Sequence, residues 1–252
     1  MRNISIVEFP FNLGLKEVFP GQEPGVRRLP EWLKQYHFHE IIGPGDIHRL
    51  EAPDYHMVQD PVQFVLNTDD IVAYAGKQAA LLNTLFSEKK FPLVIGGDCS
   101  IFIGIALALK KAGNYAVFYL DGHTDFMEPE LSETKAAGGM VAAIVAGRGH
   151  PKLTNIDNEL PYIKEQHVWC VGNREYDDEY EDAIRFSDAT YISLDMLREK
   201  GLAQVVASFL EMVKQESLDG FWLHIDVDVL ADDIMPAVDS RTPGGLTYQE
   251  FN

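Results

Sequence analysis

Only two cysteines, Cys99 and Cys170, occur in the 252 residues. Two thiols make no disulfide framework, which fits a reducing compartment. No uninterrupted apolar stretch reaches the ~18 residues that a membrane helix needs, so no membrane partner is expected. The opening run, Met1-Arg2-Asn3-Ile4-Ser5-Ile6-Val7-Glu8, carries a charge inside its first apolar segment and lacks a small-residue cleavage site. It reads as a first strand and not as a signal peptide, and a cytoplasmic location follows as the expectation. Basic residues are scarce, with 21 Lys and Arg against 39 Asp and Glu and a formal net charge of −18. They gather only in pairs such as Arg27-Arg28 and Lys110-Lys111. That excludes a nucleic-acid surface, which needs a basic stripe. There is no Pro-, Gly- or Ser-rich linker, no internal repeat and no low-complexity tract, so one domain over residues 1–252 is the economical reading.

What is present is an alternation of apolar strand-like runs with helix-like stretches. Strands are expected at Ile4 to Val7, Phe91 to Ile95, Tyr115 to Leu120, Gln166 to Val171, Thr190 to Ile192 and Phe221 to Ile225. Helical spacing marks Pro24 to Tyr36, with Pro30 as a bend or true start, and Asp69 to Ser87, Ile101 to Lys111, Ala136 to Ala146 and Leu202 to Lys214. A further helix begins at Leu246. Pro44 to Asn67 lacks periodicity and reads as irregular, a loop over the site. Glu175 to Asp182, with six acids in eight positions, reads as a solvated helix start or loop. Continuous apolar strands between helices predict an α/β fold, three layers with a central parallel sheet.

Three acidic clusters follow three of the strands: Gly96-Gly97-Asp98-Cys99-Ser100, Asp121-Gly122-His123-Thr124-Asp125 and Asp226-Val227-Asp228. Ligands in open parallel sheets bind beyond the carboxyl ends of the strands, where all three lie. In an extended turn alternate residues point the same way, so Asp121, His123 and Asp125 converge, as do Asp226 and Asp228. Carboxylates this close repel one another strongly without a cation, and oxygen and imidazole donors suit Mn²⁺ or another first-row divalent ion. A single Asp-x-Asp is more often a turn or a helix cap. A calcium loop fails because Ala231 takes the glycine place and Ala237 the terminal glutamate place. A dinucleotide fingerprint fails at Lys152, where a third glycine should follow Gly147 and Gly149.

These motifs resemble those of the ureohydrolases (arginase, agmatinase and formimidoylglutamase), whose pattern is Gly-Gly-Asp-His-Ser, Asp-Ala-His-x-Asp, Asp-x-Asp and then a Thr-Pro-x-x-Gly-Gly-Leu loop. Here the loop reads Arg241-Thr242-Pro243-Gly244-Gly245-Leu246. Order and spacing agree over nearly the whole chain. The resemblance implies an arginase-like domain that acts on a small-molecule substrate and forms a homo-oligomer, usually a trimer or hexamer. It implies two ions, usually Mn²⁺, with Asp121 and Asp226 bridging. His123 and Asp228 complete one site; Asp125 and the residue at position 99 serve the other. Such a pair, roughly 3.5–4 Å apart, holds a bridging hydroxide at neutral pH. That hydroxide would attack the carbon of a guanidino or amidino group and break a non-peptide C–N bond. Asp125 would take its proton and pass one to the leaving amine.

The chain departs from the pattern in three places. Position 99 is cysteine where the family has a metal-binding histidine. Cys99 then ligates a softer ion such as Zn²⁺, or fails to bind, or packs as a small residue at a helix start. A weakened or empty first site is the expectation. A single-metal amide hydrolase, like the related zinc deacetylases, and a non-catalytic family member are the alternatives. His224, two residues before Asp226 on the same strand face, reads as a group orienting a ligand, with a replacement ligand as the sharper alternative. His37, His39, His48, His56, His150 and His167 match no motif and read as surface or packing residues. The histidine that the family carries about fifteen residues beyond its second motif is missing from Ala136-Ala137-Gly138-Gly139-Met140, leaving Glu128 and Ser132 as polar contacts. Asn173 to Asp177 resembles the family's substrate-contacting loop, which makes Asp177 a further candidate. The family's final helix and strand, with a guanidinium-gripping glutamate, do not follow Asn252. That implies a C-terminally incomplete domain with an unpaired sheet edge.

Overall fold

The computed structural model describes residues 3–175 and 177–251. Among the described residues there are seven strands: β1 (Ile4–Phe9), β2 (Asp46–Arg49), β3 (Phe91–Gly96), β4 (Tyr115–Leu120), β5 (Val168–Asn173), β6 (Thr190–Ser193) and β7 (Gly220–Ile225). The α-helices are α1 (Leu29–Gln35), α2 (Phe38–Ile42), α3 (Thr68–Ser87), α4 (Ile101–Ala112), α5 (Val141–Val145), α6 (Pro151–Thr154), α7 (Asp178–Arg185), α8 (Leu194–Lys200), α9 (Leu202–Gln215) and α10 (Tyr248–Phe251). All strand pairings are parallel, and the expected α/β arrangement is borne out. Hydrogen bonding divides the strands between two sheets, ordered β2-β1-β3 and β6-β5-β4-β7.

Strand alternation sorts the core into layers. Val7 and Phe9 of β1, with Val117 and Tyr119 of β4 and Val168 and Cys170 of β5, join one apolar cluster beneath α3, α4 and α5. Ala116, Phe118 and Leu120 point the other way and pack with Trp169, Ile192 and the Phe209 side of α9. β4 is thus covered on both faces, which explains its continuous apolar run. β7 is covered less: Phe221, Leu223 and Ile225 are each at least 44 % exposed, and its outer edge is unpaired among the described residues. On the far face of β1 the buried Glu8 meets Lys34 of α1, His39 of α2 and Arg49 of β2.

Two local expectations change. β2 lies inside the stretch read as irregular, because an edge strand with alternating exposure, flanked by Gly43, Pro44 and Gly45, shows little apolar signal. The helix expected over Ala136 to Ala146 is a 3₁₀ turn, Ala137–Met140, leading into α5, as the Gly138-Gly139 pair disfavours an α-helical start. No described helix is long and apolar enough to cross a membrane.

Candidate metal centre

Because every strand is parallel, β3, β4, β5 and β7 deliver their carboxyl ends to one side, and the acidic clusters meet there. Asp121 immediately follows β4 and is 1 % exposed. Its Oδ1 accepts from the His123 backbone N–H (2.7 Å), whereas Oδ2 is buried without a hydrogen-bond partner. His123 Nδ1 lies 2.7 Å from Asp228 Oδ2, and Nε2 lies 3.2 Å from Thr242 Oγ1. The second Asp228 oxygen accepts from the Gly122 N–H at 2.9 Å. Gly122 is required here: an added Cβ would come 2.6 Å from Arg174 Nη1 and 2.9 Å from the Asp228 carbonyl oxygen.

Asp226 and Asp228 do not continue β7 as an extended pair. Val227–Val229 form a 3₁₀ turn, and Asp226 Oδ1 caps it by accepting from the Asp228 N–H at 2.9 Å. The capping preference of aspartate outweighs strand continuation, yet both carboxylates still reach the centre. Asp226 Oδ2 accepts from the Cys99 thiol at 3.0 Å, so the third cluster is joined across 127 residues. Asp125 sits in the left-handed region, φ 47°, which turns its carboxylate back to accept from the Tyr119 hydroxyl at 2.8 Å. His224 stands in register beside Tyr119 on the neighbouring strand. Their rings stack with centroids 4.1 Å apart and planes 2° from parallel.

Two groups of donors have ligand atoms within 4.8 Å of one another: Asp121, His123 and Asp228, and Cys99, Asp121 and His224. Asp121 belongs to both. Asp98 is not among them; it accepts from the Gly14 and Ser100 N–H groups and the Ser100 hydroxyl, tying the Gly14 loop to the end of β3. Asp177 caps α7 by accepting from the Glu179 N–H. Its neighbour Tyr176, in the same resemblance, lies outside the described residues. Glu128 pairs with Arg148 and Ser132 accepts from the Lys135 N–H, so each has a local task.

The electrostatics follow from burial and crowding. Burial, then the charges of Asp125, Asp228 and Asp226, pushes Asp121 well above the usual carboxylate range. Burial raises Asp125 to about 8 and Asp226 to about 6. Burial also pushes Asp228 up, but the hydrogen bond and charge of His123 outweigh it and its carboxyl lies low. His123 is raised to about 9 by Asp228 against the opposing effect of burial. Burial, then the charges of Asp226, Asp125 and Asp121, drives the Cys99 thiol well up. Burial takes His224 down to about 4, leaving a neutral imidazole with a lone pair.

Several residues of the loop over residues 173–177 take structural roles at the centre that the resemblance did not give them. Asn173 donates to the carbonyls of Asp121 and His123. The Arg174 guanidinium donates to the carbonyls of Asp228 and Thr242, pinning the last acidic turn to the Thr-Pro loop. Glu175 accepts from the Thr124 N–H and hydroxyl. Tyr119 had a readable signal: it precedes Asp121 by two positions and so shares its strand face.

Fold and site together define a parallel α/β protein with an acid-rich centre at the carboxyl ends of its strands. Comparison with known proteins carries this further. Residues 2–252 match the Arginase family. The arginase of Bacillus caldovelox is 31% identical over 254 residues, covering 99% of this chain and 84% of that protein. The crystal structure of arginase from Bacillus subtilis superposes with a TM-score of 0.83 at 28% identity, covering 99% of this chain and 83% of that one. A formimidoylglutamase structure from Bacillus subtilis shares the fold, with a TM-score of 0.69 at 24% identity, over 100% of this chain and 73% of that one. The chain therefore belongs to the arginase family and is a hydrolase of the ureohydrolase type.

Proposed function

We propose that the chain hydrolyses a non-peptide C–N bond in a guanidino or amidino compound with divalent metal bound among its acidic clusters. The observation that carries this is Asp121 Oδ2, buried and unpartnered beside three further carboxylates. A buried polar atom without a partner is costly, and a cation supplies what the protein withholds. The donors fit: oxygen and imidazole suit Mn²⁺, and the Cys99 thiol leans towards a softer ion. Asp121, His123, Asp226 and Asp228 would hold one ion, and Cys99, Asp121, Asp125 and Asp226 the other. When bound, such a pair supplies Lewis acidity that activates water near neutral pH.

The protein's own residues then have distinct tasks. The Tyr119 hydroxyl fixes Asp125 Oδ2 and leaves Oδ1 to accept a proton from the attacking water and give one to the departing nitrogen. His123 is held between Asp228 and Thr242, which sets its ring orientation. Arg174 holds the loop carrying Thr242, so the imidazole position depends on it indirectly. The chain's net charge of −18 would draw in a cationic guanidinium.

The test is release of urea or formamide from a panel of guanidines and amidines, headed by L-arginine and agmatine, by chelator-treated protein before and after addition of Mn²⁺ or Zn²⁺. Turnover that appears only with the ion supports the reading. Turnover indifferent to the ion, or uptake of no ion at all, contradicts it.

A further inference from the structure

Three side chains from three distant segments meet on the β3 and β7 side of the centre. Cys99 comes from the turn after β3, Asp121 from the end of β4 and His224 from β7, and one ligand atom of each lies within 4.8 Å of the others. Cys99 replaces a histidine of the motif it otherwise matches, so this side lacks the imidazole of that pattern. His224 puts an imidazole back, on the adjoining strand and on the face shared by Tyr119 and Asp121.

The imidazole is fixed in place by packing. Tyr119 stacks flat against it at 4.1 Å, and the Phe102 ring lies 5.4 Å away at 59°. The His224 ring is thus held among aromatic side chains. Asp121 Oδ2, the unpartnered oxygen, belongs to the same three-residue group's shared carboxylate. The Cys99 thiol points to Asp226 Oδ2 and not away into the core.

We infer that Cys99 and His224, with Asp121, form a thiolate–imidazole–carboxylate site for a softer divalent ion such as Zn²⁺ or Co²⁺, distinct in preference from the oxygen-rich His123 half. The inference rests on the proposed metal centre and deepens it: the imidazole lost at position 99 is supplied from position 224. On binding, the Cys99 thiol gives its proton to solvent and the sulfur becomes a ligand, with no change in oxidation state. Sulfur and nitrogen donors favour zinc-like ions over Mn²⁺. The two halves then select different metals while sharing Asp121.

The experiment is a Co²⁺ titration of the metal-free full chain, read by sulfur-to-cobalt charge-transfer absorption in the near ultraviolet and by ion count per chain. The wild type is expected to develop the band and to bind two ions. Cys99→Ser should lose the band and drop to one ion. His224→Ala should weaken the band's Co²⁺ affinity by more than about 100-fold, beyond the 10–100-fold that losing a mere supporting group costs. A charge-transfer band indifferent to His224→Ala, or two ions bound with no band, would overturn the site. Circular dichroism checks folding. Should His224→Ala not fold, His224→Gln takes its place with the same reading: a band of weakened Co²⁺ affinity supports the inference, and an unchanged one overturns it. Uptake of no ion by the wild type would instead overturn the metal centre as a whole.

Discussion

The two halves of the acidic centre share Asp121 and are held by different forces. The His123 half is a polar lattice, in which Asp228, Thr242, Gly122, Asn173 and Arg174 fix each donor by hydrogen bonds. In the Cys99 half the thiol donates to Asp226 and Asp125 accepts from Tyr119, while His224 is held by ring packing on Tyr119. A lattice fixes orientation through many small directional terms; packing fixes position while leaving lone pairs open. The first half is therefore pre-organised by partners that a substitution can orphan. The second contains Asp121 Oδ2, an oxygen buried without a hydrogen-bond partner.

The comparison breaks most completely at the shared residue. Asp121→Ala should empty both halves and lower turnover by about 10³-fold or more, because the several kcal/mol that metal polarisation supplies are lost; ion counting and steady-state kinetics check this. His123→Ala should remove one half alone, with a loss of roughly 10²–10⁴-fold in kcat and retention of the ion on the Cys99 side, measured by the same pair of methods.

The pH dependence of the metal-free protein sharpens the contrast further. Asp125 and Asp226 are raised in the folded state to about 8 and about 6 from 3.8, and His123 to about 9 from 6.5. Each then binds more protons folded than unfolded, so its contribution is present at low pH and lost as pH rises through the folded value. His224, depressed from 6.5 to about 4, has the opposite sign and loses its contribution as pH falls through that window. Above pH 6.5 only the falling contributions change. The Tm of the metal-free chain should therefore decline from pH 6.5 to 9 in a calorimetric series. Added divalent ion should flatten that decline, since it binds the deprotonated ligands.

Smaller effects probe the lattice itself. Gly122→Ala forces a Cβ against Arg174 and Asp228 and should cost about 1–3 kcal/mol in urea unfolding. Tyr119→Phe removes the hydroxyl that lowers Asp125, so the acid limb of the pH–rate profile should move up by less than about one unit. The same change leaves the aromatic stack on His224 in place, and ion affinity of the Cys99 half should be unaltered.

Much of this was legible in the residues because parallel strands converge their carboxyl ends by geometry alone. Apolar runs ending at Gly96, Leu120 and Ile225 were enough to bring Asp121, His123, Asp125, Asp226, Asp228 and Cys99 to one side of the sheets. What escaped reading depends on contacts between segments. β2 was missed since its polar, alternating edge residues Asp46, His48 and Arg49 lack a buried pattern. The turn at Val227–Val229 was missed since a capping aspartate and a strand aspartate look alike in sequence. The direction of Asp125 towards Tyr119 depends on a left-handed backbone at an aspartate, which no local pattern announces. The Arg174 bridge joins two motif-bearing loops 54 residues apart through a backbone carbonyl, a contact that neither motif announces.

The central claim is tested most directly by anomalous scattering from crystals grown with Mn²⁺ or Zn²⁺. A peak within bonding distance of Asp121 Oδ2 is the predicted result. Fully occupied ions elsewhere, with that oxygen left without a partner, would contradict the account.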